Sequence, residues 1–355
     1  IMSQEKQDID TMRYIAAKSQ NVSINMRKIN DLATEVIAYM SRNHNNENIY
    51  AVTRSYVRLS SEFHPEKDDK RTADWLFVLN TLNFSLWSLK DMPEWTVNGF
   101  TGYMALCAAI KRAIDNGKPM WDPKFYTTLS IVEMIQIFQG DNNISMPRTS
   151  QRLTILHEVG KVLLDDYDGT FANCIKSCEH DAIKLMVTIH DKFPSYDDVV
   201  IYHDRSVRLF TKAWTLVTDI WNYFDDEEDE LRIDIERMKH STIFVDYRVV
   251  QIFDHFNVLV YSKKFLDELK KEEFIFHGTK EEIEIRCCSL MIVRYLHQML
   301  MKTLEQDTFV KQIPVLKLPD FDCTCLIDNF LWDYLQLHNK QLKKNVLCKI
   351  YTESY

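Results

Sequence analysis

The sequence predicts an all-α protein, a single helical domain with at most a small β-hairpin, and three observations predict it. Apolar residues recur at the 3.6-residue period of a helix along most of the chain. Only 7 of the 355 residues are Gly, well below average usage, so turns needing positive φ are expected to be few. The β-rich stretches Val199–Tyr202 and Ile243–Val245 are too short and too few for a central sheet.

Helical periodicity is first clear over Ile29–Met40 and returns over Thr72–Leu89, Gly102–Ile114, Leu129–Phe138, Gln151–Leu164, Glu179–Phe193 and Val207–Phe224. Pro, Gly, Asn or Asp bounds each segment, as helix ends require. The pattern continues over Asp246–His255, Lys263–Lys271, Lys280–Leu304 and Cys323–Leu337, for roughly a dozen helices in all. The acidic run Asp225–Glu230 reads as a solvated turn between two of them. No fixed repeat or low-complexity linker interrupts the chain. Residues 25–340 are therefore expected to form one domain, with an N-terminal extension over 1–24 and a C-terminal tail over 341–355.

An apolar share of 46% and a charged share of 27% mark a folded globular chain. The formal charge of -9 argues against a long nucleic acid as partner, because that affinity comes from neutralising many phosphates. A small nucleotide needs only one or two cations. No 18-residue apolar run occurs and the first residues are polar, so neither a membrane span nor a signal peptide is expected, and the cytoplasm is the expected location. The 8 cysteines are expected as thiols.

GxGxxG, GxxxxGK[ST], GxSxG, HExxH, paired CxxC and EF-hand patterns are all missing, so the dinucleotide, nucleoside-triphosphate, serine-hydrolase, zincin, zinc-ribbon and calcium readings lack a signature. Cys174, Cys178 and His180 offer three metal ligands but no fourth, and read as ordinary core and surface residues.

Three polar clusters stand out in apolar helical context. In Asp74–Trp87, successive members of the set Asn80, Asn83 or Phe84, and Trp87 lie three or four residues apart, so one helical face would show amides beside rings, suited to a planar base. A self-satisfied aromatic core is the alternative. In Ser241–Gln251, Asp246 follows a mostly apolar stretch and precedes Tyr247 and Arg248; it is either a partly desolvated functional carboxylate or the cap of the helix that begins there. In Val207–Trp221, Lys212, Thr215 and Asp219 share one face of an apolar helix, a stripe that points either to solvent or into a cleft.

These stretches, in this order, resemble the queuosine salvage protein family. Leu82-Asn83-Phe84-Ser85-Leu86-Trp87 is similar to the family's LNFSFW, and Gly99–Tyr103 to the turn that follows it. Phe244–Gln251 is similar to FADYRVPQ, Glu284-Ile285-Arg286 to an E-I-R segment, and Ile327–Trp332 to a D-x-x-LW signature. Leu86 replaces a Phe and Val250 a Pro, while Thr211-Lys212-Ala213-Trp214 stands where the family carries a pattern near K-R-A-Q. The likeness spans about residues 25 to 340.

The resemblance implies a helical fold related to DNA glycosylases and release of queuine from queuosine 5′-phosphate, with no metal or organic cofactor. It implies Asp246 as principal catalytic carboxylate, with Tyr247 beside it and His64 near the base; Lys212 and Asp219, on the polar stripe, are the further catalytic candidates, and Lys212 and Arg248 are the side chains expected to meet the 5′-phosphate. His64, Asn83, Phe84, Trp87, Tyr103, Trp214, Tyr247 and Arg248 are the expected substrate-binding residues, and a monomer is expected. A DNA-base glycosylase and a non-catalytic helical scaffold are the competing functions.

Overall fold

A computed structural model describes residues 2–43, 62–65, 69–89, 91–224, 228–234, 245–271, 274–306 and 323–354. Ser241–Phe244 and the first three residues of the acidic run at 225–230 lie outside the described residues. In chain order the elements are α1 (Met2–Lys18), β1 (Val22–Ile24), α2 (Met26–Asn43), α3 (Thr72–Leu82), β2 (Thr96–Val97), β3 (Phe100–Thr101), α4 (Gly102–Asp115), α5 (Pro123–Tyr126) and α6 (Ile131–Ile137). There follow α7 (Thr149–Asp166), α8 (Phe171–Ser177), α9 (Ala182–Lys192), β4 (Val199–Tyr202), β5 (Arg205–Arg208), α10 (Thr211–Tyr223) and α11 (Tyr247–His255). The last are β6 (Leu259–Tyr261), α12 (Lys263–Leu269), β7 (Ile275–Phe276), α13 (Lys280–Gln306), α14 (Cys323–Leu342) and β8 (Ile350–Tyr351).

The fold is predominantly all-α. Among the described residues, strands occur only as four two-stranded pairs. One is the hairpin joining the expected β-rich stretch Val199–Tyr202 to Arg205–Arg208. The chain divides into two compact units, one of Ile1–Arg58, Val199–Thr211 and Met238–Tyr351, the other of Leu59–Asp198, Lys212–Arg237 and Thr352–Tyr355.

The first unit is organised on α13, against which α1, α2 and α14 pack. Its Glu284 is fully buried and accepts from Ser19 Oγ at 2.9 Å, Asn21 N at 2.8 Å and Tyr202 Oη at 2.8 Å. These donors offset the cost of burying a carboxylate and explain the E-I-R segment structurally. In the second unit every residue of α3 is buried, as an all-round apolar helix requires. α4, α7 and α8 surround it, and Phe77 lies 4.5 Å from Phe171 and 6.0 Å from Tyr196, stacked on both.

Three expectations are corrected. The helix expected over Thr72–Leu89 ends at Leu82, because Asn83 caps it by donating its backbone N–H to Asn80 O and Ser85 turns left-handed at φ 43°. The helix expected from Val207 begins only at Thr211, since 205–208 form the second hairpin strand and Phe210 is left-handed at φ 54°. Scarce glycine does not make left-handed turns scarce either. Asn, Asp and His take many of those positions, with Ser85, Arg148, Glu179 and Phe210 among the rest; short polar side chains tolerate that region best.

Candidate active site

The second unit gathers cations around one ring. Phe84, just past the end of α3, is buried, and the centroid of its ring lies 4.2 Å from Arg152 Cζ, 5.1 Å from Lys212 Nζ and 5.2 Å from Arg148 Cζ. The ring's negative face offsets part of this repulsion. Arg152, on α7, is held by the carbonyls of Leu82, Phe84 and Pro147, so the chain leaving α3 is tied to a fixed guanidinium.

Lys212 stands in the first turn of α10 and is only 3% exposed. Its Nζ donates to Glu353 O at 3.2 Å and Ser195 O at 3.5 Å, and lies 4.7 Å from the Tyr196 ring. Burial pulls its pKa down to about 7; Glu353 and Asp198 act against that fall, and Arg152 and Arg148 add to it. An amine whose pKa burial draws down toward neutrality is suited to proton transfer.

The polar stripe of α10 turns inward. Lys212, Thr215 and Asp219 are all buried, as is Trp214 beside them. Asp219 accepts from Asn80 Nδ2 at 2.9 Å, while Asn80 also donates to Leu76 O at 3.1 Å. The amide face foreseen on a continuous helix is thus divided: Asn80 is engaged inside the core, and Asn83 is half-buried at the helix end. Nearby in the fold, Tyr103 Oη lies 3.5 Å from Nε2 of the buried His64, whose ring is 4.5 Å from that of Trp75. Trp87 is also buried.

Asp246, Tyr247 and Arg248 belong to the first unit. Asp246 caps α11: its Oδ1 accepts from the backbone N–H groups of Arg248 and Val249, each at 2.9 Å. The side chain stays partly exposed. Tyr247 is buried, and Arg248 Nη1 donates to Asn339 Oδ1 at 3.4 Å.

Arg148, Arg152, Tyr196 and the segment 352–354 are not among the residues the sequence points to. The two arginines, spaced i, i+4 where α7 begins, were the available signal; the others carry none. Within the expected C-terminal tail over 341–355, Thr352 and Ser354 are buried. None of the eight cysteines is joined in a disulfide and all are buried. The Nδ1 of the exposed His180 lies 2.6 Å from Arg232 O. Among the described residues no group of three or more His, Cys, Asp or Glu is arranged to hold a metal ion. No described helix is long and apolar enough to cross a membrane.

Residues 63–354 match the family described as queuosine salvage protein. The chain is 33% identical over 286 residues to the queuosine 5′-phosphate N-glycosylase/hydrolase of Bos taurus, covering 79% of this chain and 81% of that protein. The protein of the same name from Mus musculus is 34% identical over 286 residues, with the same coverage. That of Schizosaccharomyces pombe is 33% identical over 251 residues, covering 67% of this chain and 72% of its own length.

Proposed function

Because this chain belongs to the queuosine salvage protein family, we propose that it hydrolyses the N-glycosidic bond of queuosine 5′-phosphate, releasing queuine. The observation that carries the proposal furthest is the buried Lys212 beside Phe84, its pKa pulled down by burial, on a helix whose polar stripe faces inward. A helix serving only to fill a core has no use for a desolvated amine whose burial costs stability.

Breaking a ribosyl C–N bond builds positive charge at the anomeric carbon and negative charge on the departing base. The ionised Asp246 serves the first, stabilising the oxocarbenium-like transition state and directing water to it. A 7-deazapurine has carbon where a purine carries basic N7, so the base cannot leave by protonation there. Donors at its pyrimidine edge take that role, with Lys212, His64 and Asn83 as candidates. Water then supplies hydroxyl to the sugar and a proton to the base, which balances the reaction. Asp219 holds its place in the buried polar network with Asn80. Phe84, Trp87, Tyr103, Trp214 and Tyr247 are assigned to packing and orienting the base, and Arg248 to the 5′-phosphate. No step is assigned to a metal or an organic cofactor.

The formal charge of -9 supports a small nucleotide as substrate rather than a long nucleic acid. A monomer acting in the cytoplasm on a single nucleotide is the corresponding assignment. Incubation with queuosine 5′-phosphate and chromatography for queuine tests the activity: queuine is expected with wild-type protein and is lost in Lys212→Met. A folded protein that releases no queuine overturns the assignment and favours a helical scaffold; release of bases from DNA instead favours the DNA glycosylase reading.

A further inference from the structure

The segment Thr352–Ser354 is held by side chains from two other parts of the second unit. Thr352 O accepts from Ser85 Oγ at 2.9 Å and from Arg148 Nη1 at 2.6 Å, and Arg148 Nη2 lies 3.4 Å from Glu353 Oε1. Ser354 N donates to Thr352 Oγ1 at 3.2 Å, and Glu353 O receives Lys212 Nζ at 3.2 Å. The two residues that fasten it are both left-handed non-glycines, Ser85 at φ 43° and Arg148 at φ 54°. Such conformations in residues other than Gly, Asn or Asp persist where the surroundings hold them. Here they flank Phe84, the ring beside which Lys212 stands.

We infer that Thr352–Ser354 is a positioning strap for Lys212: held by Ser85 and Arg148, it supplies the Glu353 carbonyl as acceptor for the amine and the Glu353 carboxylate as the charge opposing Arg148 and Arg152. The role of the strap in the reaction rests on the assignment of Lys212 to the active site. An ammonium carries three donors and no acceptor, so a fixed carbonyl sets its direction.

The charged groups acting on Lys212 are Arg148 and Arg152, at and near the start of α7, Asp198 ahead of β4, and Glu353 on the strap. Glu158 on α7 also feels Lys212, and Tyr196 contributes its ring. Among the carboxylates Glu353 has the largest effect, and it opposes the downward pull of burial. Its side chain is 42% exposed, so changing its charge leaves the packing intact.

The test uses the protein labelled with 13C at the lysine ε-carbon, with Lys212 assigned by difference against Lys212→Met. Glu353→Gln is expected to lower the Lys212 titration midpoint by on the order of one pH unit, and Glu353→Lys to lower it further. The corresponding limb of the pH profile of kcat/KM is expected to move with it. An unmoved midpoint in both variants overturns the strap, whatever the activity. A midpoint that moves under an unchanged pH–rate profile supports the strap and instead removes Lys212 from the chemistry.

Discussion

Asn80 Nδ2 donates to Asp219 Oδ2 at 2.9 Å, joining α3 to α10 across 139 residues of sequence. Both residues are almost wholly buried. A carboxylate in such a place depends on its donors, because an unmet charge in the interior costs far more than the hydrogen bond returns. Asn80→Leu removes one of them and is expected to destabilise the fold by about 1–3 kcal/mol. Urea unfolding measures this, and an unchanged midpoint would show that Asp219 does not rely on Asn80.

Asp246 has two roles that substitution can separate. Asp246→Ala removes both carboxylate and cap, so turnover should fall at least about a hundredfold while stability falls by about 1 kcal/mol. Asp246→Asn keeps a capping oxygen for Arg248 N and Val249 N but removes the charge. Its activity is expected to fall as far as that of the alanine variant, with most of the stability retained. Full turnover by a folded Asp246→Asn protein would take the carboxylate out of the mechanism.

Asp74, in the first turn of α3, accepts from the Phe171 backbone N–H and from Thr170 Oγ1 at the start of α8. Burial raises its pKa to about 6, with those hydrogen bonds acting against the rise. The folded state therefore binds more protons than the unfolded state between pH 3.8, the ordinary value, and about 6. Stability from this group is complete below that interval and is lost as the pH rises through about 6. Relative to Asp74→Asn, the wild-type unfolding free energy should fall by about 2 kcal/mol between pH 4.5 and 7.5. Parallel pH profiles for the two proteins in denaturant titrations would refute this.

Gly160, inside α7, is needed for its size. A Cβ there would stand 2.4 Å from Thr127 Cγ2 and 2.5 Å from Tyr126 Cε2, and Tyr126 is completely buried. Overpacking costs about 1–3 kcal/mol, against a gain of about 1 kcal/mol in helix propensity. Gly160→Ala should therefore lower the melting temperature, by calorimetry, instead of raising it as glycine removal from a helix otherwise does.

The sequence by itself determined the helical class, most helix positions and the family. α7 was expected over Gln151–Leu164 and runs over Thr149–Asp166; α13 was expected over Lys280–Leu304 and runs over Lys280–Gln306. Periodicity is a local property, and a period repeated over several turns survives the uncertainty of single residues. It also placed Lys212, Thr215 and Asp219 on one face, although whether that face met water or core was not in the pattern.

Tertiary structure decided the rest. α3 stops at Leu82 although apolar residues continue to Leu89, because Arg152 from α7 takes the Leu82 and Phe84 carbonyls that further helix would use. Asp246 caps its helix through backbone donors that a one-dimensional pattern cannot weigh against chemistry. Lys212 meets Glu353 across 141 positions, and Ser85 meets Thr352 across 267. Contacts at such separations leave no period in the chain. The charge of a buried amine depends on the groups that folding brings around it, so the sequence could name Lys212 but only the packed structure sets its protonation.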